Sequence, residues 1–313
     1  MSNLDFLTKE KLTTGFGEEI TATEYSEVLK QAGLNWTVSS HDTFTEFNGQ
    51  SIKIPNTKTI VRTEDQKPLG IVSSKYKLLN NEDAFAFTEE LLSGGHIQFI
   101  RGGSYKGGSA TWLEGKLSGD YSVLGDKTDC YLVFMNSHDG TGSVRCMILP
   151  TRIACSNVLN ISIRKASQAH RSWRCTHAGD VLRKVDEARA VLMNGSKYMQ
   201  AIQEEAERLN RIKLPDKVVV DFVNRLYPIT DKMSDRIKSN TELRRNELLT
   251  VYKEKDDLAN LGNTGYRFVS AVADYVDHSV DLRNTTTSVM NRYITVAKGS
   301  PLVDKAYSMV LNA

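Results

Sequence analysis

Cysteine is scarce in this chain: four residues (Cys130, Cys146, Cys155, Cys175) among 313, scattered and without a CxxC pair. That excludes a disulfide scaffold of this size and points to a reduced compartment. No apolar run approaches the ~18 residues of a membrane helix. The N-terminus, MSNLDFLTKEKLTTGFGEEI, lacks the basic-then-apolar layout of a signal peptide. A cytoplasmic protein with no membrane contact is the economical expectation. No Walker pair, dinucleotide GxGxxG, kinase set or Ser–His–Asp arrangement is present, which disfavours nucleotide hydrolysis and acyl transfer. There is no solenoid-period repeat and no long low-complexity segment. Net charge is also small, at +2.

What is present is segregated charge. Residues 1–48 carry eight Asp/Glu and three Lys, whereas Arg145 to Lys184 carries eight Lys/Arg against the single acid Asp180. A concentrated basic field suits a polyanion, because phosphate contacts and counterion release supply most non-specific affinity. Aromatics are interleaved with it: Trp173 lies between Arg171 and Arg174, and Tyr105 and Trp112 flank the Gly-rich stretch RGGSYKGG. Rings that stack on bases beside cations that follow phosphates are what single-strand binders use. The competing reading is a solvated face of salt bridges to acidic helices such as QEEAERLN.

The local patterns define an α+β chain. Residues 22–33 read as a short helix stopped at Gly33, and the segments after Trp36 alternate as strands joined by Asn- and Pro-containing turns. NNEDAFAFTEELLSGG is a helix capped by Asn80 or Asn81 and ended at Gly94, with Ala84, Phe87 and Leu91 on one face and Phe85 and Leu92 beside them. Strands follow around the Gly-rich stretch and around Asp139-Gly140, a hairpin signal, and then a helix is expected over 151–165. From Gly179 the spacing becomes helical throughout. The expected architecture is a curved antiparallel sheet with helices on one face, followed by a helical C-terminal region. In domain terms this gives an arm at 1–20, a core at 21–178 and a helical domain at 179–313.

Three local motifs carry possible chemistry. His138-Asp139 could begin a metal or catalytic site, but no further ligands stand at characteristic spacing. A polar hairpin turn, with Asn136, Ser137 and Asp139 satisfying backbone groups, is the simpler reading. Cys155, Cys175, His170 and His177 lack zinc-site spacing, so no metal and no cofactor is expected. RGGSYKGG could cradle phosphate, with Arg101 and Lys106 adding charge, or be an ordinary hairpin loop.

At NSHDGTGSVR, TRIACSNVL and RCTHAGDVLRKVDEAR, the chain resembles the phage/plasmid-like protein family, a domain of unknown function from bacteriophages, prophages and plasmids. GLNWTV, LGIVSSKYKLLNNEDAFAF, the hairpin ending in Trp112, and NTGYRFVSAVADYVDH fit it too, so the resemblance spans roughly residues 25–310. It departs at Cys175, where histidine is expected after the arginine. The family implies a mobile-element origin and a bacterial cytoplasm, but no activity. The order of elements is similar to phage single-strand annealing recombinases of the Red-beta, RecT and ERF types, which form rings or filaments and hold single-stranded DNA in a basic groove. That likeness implies a non-enzymatic, homo-oligomeric protein of DNA binding, annealing and recombination. Its backbone contacts would come from Arg101, Lys106, Arg145, Arg152, Arg164, Lys165, Arg171 and Arg174, with Trp112 or Trp173 stacking on bases. Two other expectations compete: a counter-defence protein that binds a host immune protein, and a metal-dependent nuclease using His138 and Asp139.

Overall fold

The computed structural model describes residues 17–152, 172–180, 195–278 and 300–313. Two antiparallel sheets and a set of helices make an α+β fold. The larger sheet has the order β1-β5-β6-β8-β9-β10, with β7 paired on β8. Its strands are β1 (Glu18–Glu19), β5 (Ile97–Tyr105), β6 (Ala110–Leu117), β7 (Tyr121–Val123), β8 (Asp126–Ser137), β9 (Val144–Arg152) and β10 (Ser172–Cys175). The strands expected between Trp36 and Leu79 form a separate sheet of β2 (Val38–Phe47), β3 (Gln50–Arg62) and β4 (Pro68–Ser73).

One end of the expected arm at residues 1–20 is docked. Glu18 and Glu19 pair with Gly102 and Arg101 on β5, and Ile20 N–H donates to Ile100 O at 3.0 Å. The helix before Gly33 runs Tyr25–Gln31 (α1). The segment read as one helix between Asn80 and Gly94 is broken into α2 (Asn81–Phe85), a 3₁₀ turn (Ala86–Thr88) and α3 (Glu89–Ser93). Buried Thr88 turns its hydroxyl back onto Phe85 O at 2.7 Å, a local bond that competes with helix continuation. Asn80 occupies the N-cap position, but its side chain accepts from Val38 N–H instead, tying the helix start to β2. The apolar face is as its spacing requires: Ala84, Phe85, Phe87, Leu91 and Leu92 are all buried. They cover one face of the large sheet, where Phe134 meets Phe87 and Phe99 edge-on at 5.5 and 6.0 Å.

The helix expected over 151–165 is corrected at its start. Residues 151 and 152 belong to β9, paired with Asp129 and Thr128, and the rest of that segment lies outside the described residues. Beyond it come α4 (Gly195–Arg211), α5 (Asp216–Leu226), α6 (Asp235–Glu254), α7 (Asp256–Ala259), α8 (Gly265–His278) and α9 (Pro301–Leu311). The apolar core continues from the sheet into these helices, through Tyr198, Met199 and Ile202 of α4 to Phe222, Phe268 and Val310. Gln203 of α4 fixes the junction by accepting from Leu124 N–H at 2.9 Å. Among the described residues no helix is long and apolar enough to cross a membrane.

Candidate nucleic-acid interface

Strand alternation sorts the large sheet into two faces. Leu113, Leu132, Phe134, Cys146 and Ile148 point into the main core. The other face carries a smaller apolar cluster of Tyr105, Ala110, Trp112, Val133, Met135 and Met147. Residues directly opposite on antiparallel strands share a face. The register therefore places Arg101 (opposite Glu114), Trp112 (opposite Met135), Arg145 (opposite Met135 on the far side of β8) and Arg174 (opposite Arg145) together on this second face. Arg101 reaches it only through the bulge between Phe99 and Arg101. Uninterrupted alternation would have pointed it into the core with Ile97 and Phe99.

These four residues are not equivalent. Arg101 is ion-paired with the buried Glu114 carboxylate, so its charge is matched within the protein. Trp112 is 2 % exposed, and a Cβ on Gly17 would fall 2.6 Å from its ring. A ring covered in this way has no free face for a base, which corrects the stacking role expected of it. Arg145 is half-buried, its Nε donating to Ser143 Oγ at 3.0 Å. Burial, and then the neighbouring Arg174 charge, pull the Arg145 guanidinium below its usual pKa. Arg174 is exposed. No acid among the described residues pairs with either arginine.

The remaining expected contacts fall elsewhere. Trp173, opposite Cys146, sits on the core face, partly buried against the main core. Lys106 is exposed in the turn between β5 and β6. Arg152 ends β9 opposite Thr128. Arg164, Lys165 and Arg171 lie outside the described residues.

The NSHDG tip is more than a turn. Ser137 Oγ donates to Asp139 Oδ1 at 2.7 Å, and that same oxygen accepts from Thr141 N–H at 2.8 Å and Thr141 Oγ1 at 2.7 Å. Ser109 Oγ donates to the other oxygen at 3.3 Å. These bonds hold the Asp139 carboxyl below its ordinary range, although burial alone would raise it. Asn136 instead faces inward, its amide donating to Leu79 O at 3.2 Å. His138 is 1 % exposed and bonds Asn81 Oδ1 through Nε2 at 3.0 Å. Asn81 Nδ2 donates to Leu34 O at 3.1 Å and Thr111 Oγ1 donates to Asn81 Oδ1 at 3.0 Å, so that oxygen can only accept. His138 Nε2 therefore carries the proton. Burial first, and then nearby His177, push its pKa down to about 4, leaving it a neutral donor at pH 7. His177 stacks on the Tyr76 ring at 4.6 Å and donates from Nδ1 to Lys77 O at 3.1 Å; Tyr76 Oη donates to Ser137 O at 2.6 Å.

This network ties the hairpin tip to the strand and helix that precede it, through Asn81, which carried only a helix-cap signal in the sequence, and Thr111 and Tyr76, which carried none. Their partners lie 30 to 61 positions away along the chain. Among the described residues no three His, Cys, Asp or Glu groups converge to hold a metal. Cys130 and Cys146 are buried free thiols, and Cys175 is buried. Cys155 and His170 lie outside the described residues.

The fold defines a class: an α+β protein whose main sheet has helices on one face and a cation-bearing second face. The chain belongs to the family described as a domain of unknown function (DUF932), whose model matches residues 68–295. No curated protein and no solved structure matches it.

Proposed function

We propose that the protein binds single-stranded DNA without catalysis, through the second face of the large sheet, in the service of strand annealing. The observation that supports the reading is the cross-strand pair Arg145–Arg174, two cations directly opposite each other with no acidic partner among the described residues. Like charges in that position repel and destabilise a bare sheet. A bound phosphate reverses the sign, since guanidinium forks fit its oxygens bidentately. The basic segment continuing through Arg164, Lys165 and Arg171 extends the same field along the sequence. The resemblance to phage- and plasmid-borne proteins, and an element order similar to that of annealing recombinases, suggest an oligomeric, mobile-element protein as the context of this activity.

Fluorescence anisotropy with a labelled oligonucleotide at several salt concentrations tests it. Binding should weaken steeply with salt, and Arg145→Ala with Arg174→Ala should lower the logarithmic salt slope by about 1.4, the contribution of two phosphate contacts on a single strand. No binding at low salt, or a salt-independent affinity, rejects the reading.

A second reading, docking on a host protein, has its own observation. The ribbon of β2 and β3 exposes Phe47 (66 %) and Ile52 on one face and Phe44 (56 %) on the other, and neighbouring exposed apolar side chains mark interaction surfaces. Phe44→Ser with Phe47→Ser should abolish capture of a host partner from nuclease-treated lysate while leaving DNA affinity unchanged. Equal capture by the variant excludes the ribbon.

A further inference from the structure

The turn that joins β5 to β6 holds three successive left-handed residues: Lys106, Gly107 and Gly108 have φ of 52°, 68° and 99°. For lysine that conformation costs about 1 kcal/mol or more. Ser109 closes the turn, its N–H and its hydroxyl both directed at Lys106 O, at 3.4 and 3.1 Å. Two cations of the smaller sheet face it. A Cβ on Gly107 would lie 3.1 Å from Lys67 Nζ, and one on Gly108 would lie 2.9 Å from Arg62 Nη1. Glycine at these positions lets the two positive groups come down onto the backbone itself.

The cations differ in how they are held. Arg62 is fixed by a two-point contact with Asp65 through Nε and Nη2, and it lies over the Trp36 ring with 5.3 Å to the centroid. That leaves Nη1 toward Gly108. Lys67 is placed by its backbone, which accepts from Arg62 N–H at 2.9 Å and donates to Asp65 Oδ1 at 3.3 Å. Neither its ammonium nor that of Lys106 makes an ion pair among the described residues, and both side chains are exposed. Three acids are close, and all are engaged: Asp65 by Arg62, Glu64 by the Thr37 N–H, and Asp139 by Ser109, Ser137 and Thr141, with the Lys106 charge also acting on it. The turn thus carries Lys106 itself and has Lys67 and Arg62 of the smaller sheet lying against Gly107 and Gly108.

We propose that Lys67, Lys106 and the Nη1 edge of Arg62, converging on the Gly107–Gly108 turn, bind a phosphate group. Ammonium groups act as point charges on such a ligand, and the fixed guanidinium gives it orientation. The phosphate is either a backbone phosphodiester or a free phosphate. The site shares no residue with the Arg145–Arg174 pair and does not rest on the DNA-binding reading, because inorganic phosphate alone probes it.

Thermal melts in sodium phosphate against sodium chloride at matched ionic strength read the site directly. The wild-type midpoint should rise with phosphate in a saturable way. Lys67→Met with Lys106→Met should remove that rise while leaving the midpoint in chloride unchanged, and Lys67→Arg should keep it. Anisotropy with single-stranded DNA then separates the sources. A salt slope lowered by about 1.4 in the double variant assigns the site to a phosphodiester, and an unchanged slope assigns it to free phosphate. Absence of a phosphate-specific rise in the wild type, or the same rise in the double variant, overturns the proposal whether or not DNA binds elsewhere.

Discussion

At the scale of single residues, the decisive groups are those whose surroundings change their chemistry. His138 is neutral because its ring is buried against Trp36, at 5.3 Å between centroids, and bonded to Asn81. Its folded pKa of about 4 lies below the ~6.5 of an unfolded histidine. Above pH 6.5 neither state binds the proton, and the stability associated with this group is complete. As pH falls from 6.5 toward 4 only the unfolded state takes it up, so stability declines, by about 3 kcal/mol at the limit. Urea titrations at pH 7 and pH 4.5 should show that loss, and His138→Gln should flatten it; an equally steep decline in the variant would assign it to other groups. Residue identity alone foretold little of this. A histidine beside an aspartate in a hairpin reads as a surface turn, and the turn bonds of Ser137 and Asp139 are indeed there. That the intervening ring points inward depends on Asn81, which looked like a helix cap. Trp112 teaches the converse lesson: aromatic and basic neighbours in sequence suggested stacking, whereas docking of residues 17–20 on β5 closes over the ring.

At the scale of elements, the two sheets meet through glycine. Gly70 of β4 lies against the hairpin tip so closely that a Cβ there would come within 2.6 Å of Asp139 Cα. Backbone cannot yield as a flexible side chain can, so Gly70→Ala should separate the tip from β4 and cost about 1–3 kcal/mol. Hydrogen exchange localised to residues 70–77 and 137–142 would register that separation, and unchanged protection there would refute the contact. Helix and strand periodicities were legible because they are local: α1, the buried face of residues 84–92, the Asp139-Gly140 hairpin and the helices after residue 195 follow their patterns. Two features were not legible. The bulge that redirects Arg101 adds one residue to the strand without a signature of its own. The division into two sheets is set by strand pairing, and pairing partners are distant in sequence.

At the scale of the whole molecule, one apolar core runs from Ile20 through the large sheet to Val310. Sheet and helices share that core, with Tyr198, Met199 and Ile202 belonging to it as fully as Phe134 does. Unfolding should therefore be a single transition, with far- and near-ultraviolet circular dichroism tracing the same midpoint; two separated midpoints would mean that sheet and helices fold independently. The three buried thiols have a consequence of a different kind. Cys130, pushed up to about pKa 12, and Cys146, raised further by complete burial, sit on β8 and β9 in the middle of the large sheet, with Cys175 on the neighbouring edge strand. In the closed molecule Cys130 and Cys146 hold no thiolate for an electrophile to find. Oxidants and alkylating reagents can reach them only when strands part, so their rate of modification is a clock for the rarest opening of the sheet, wound by the fold and read without any added probe.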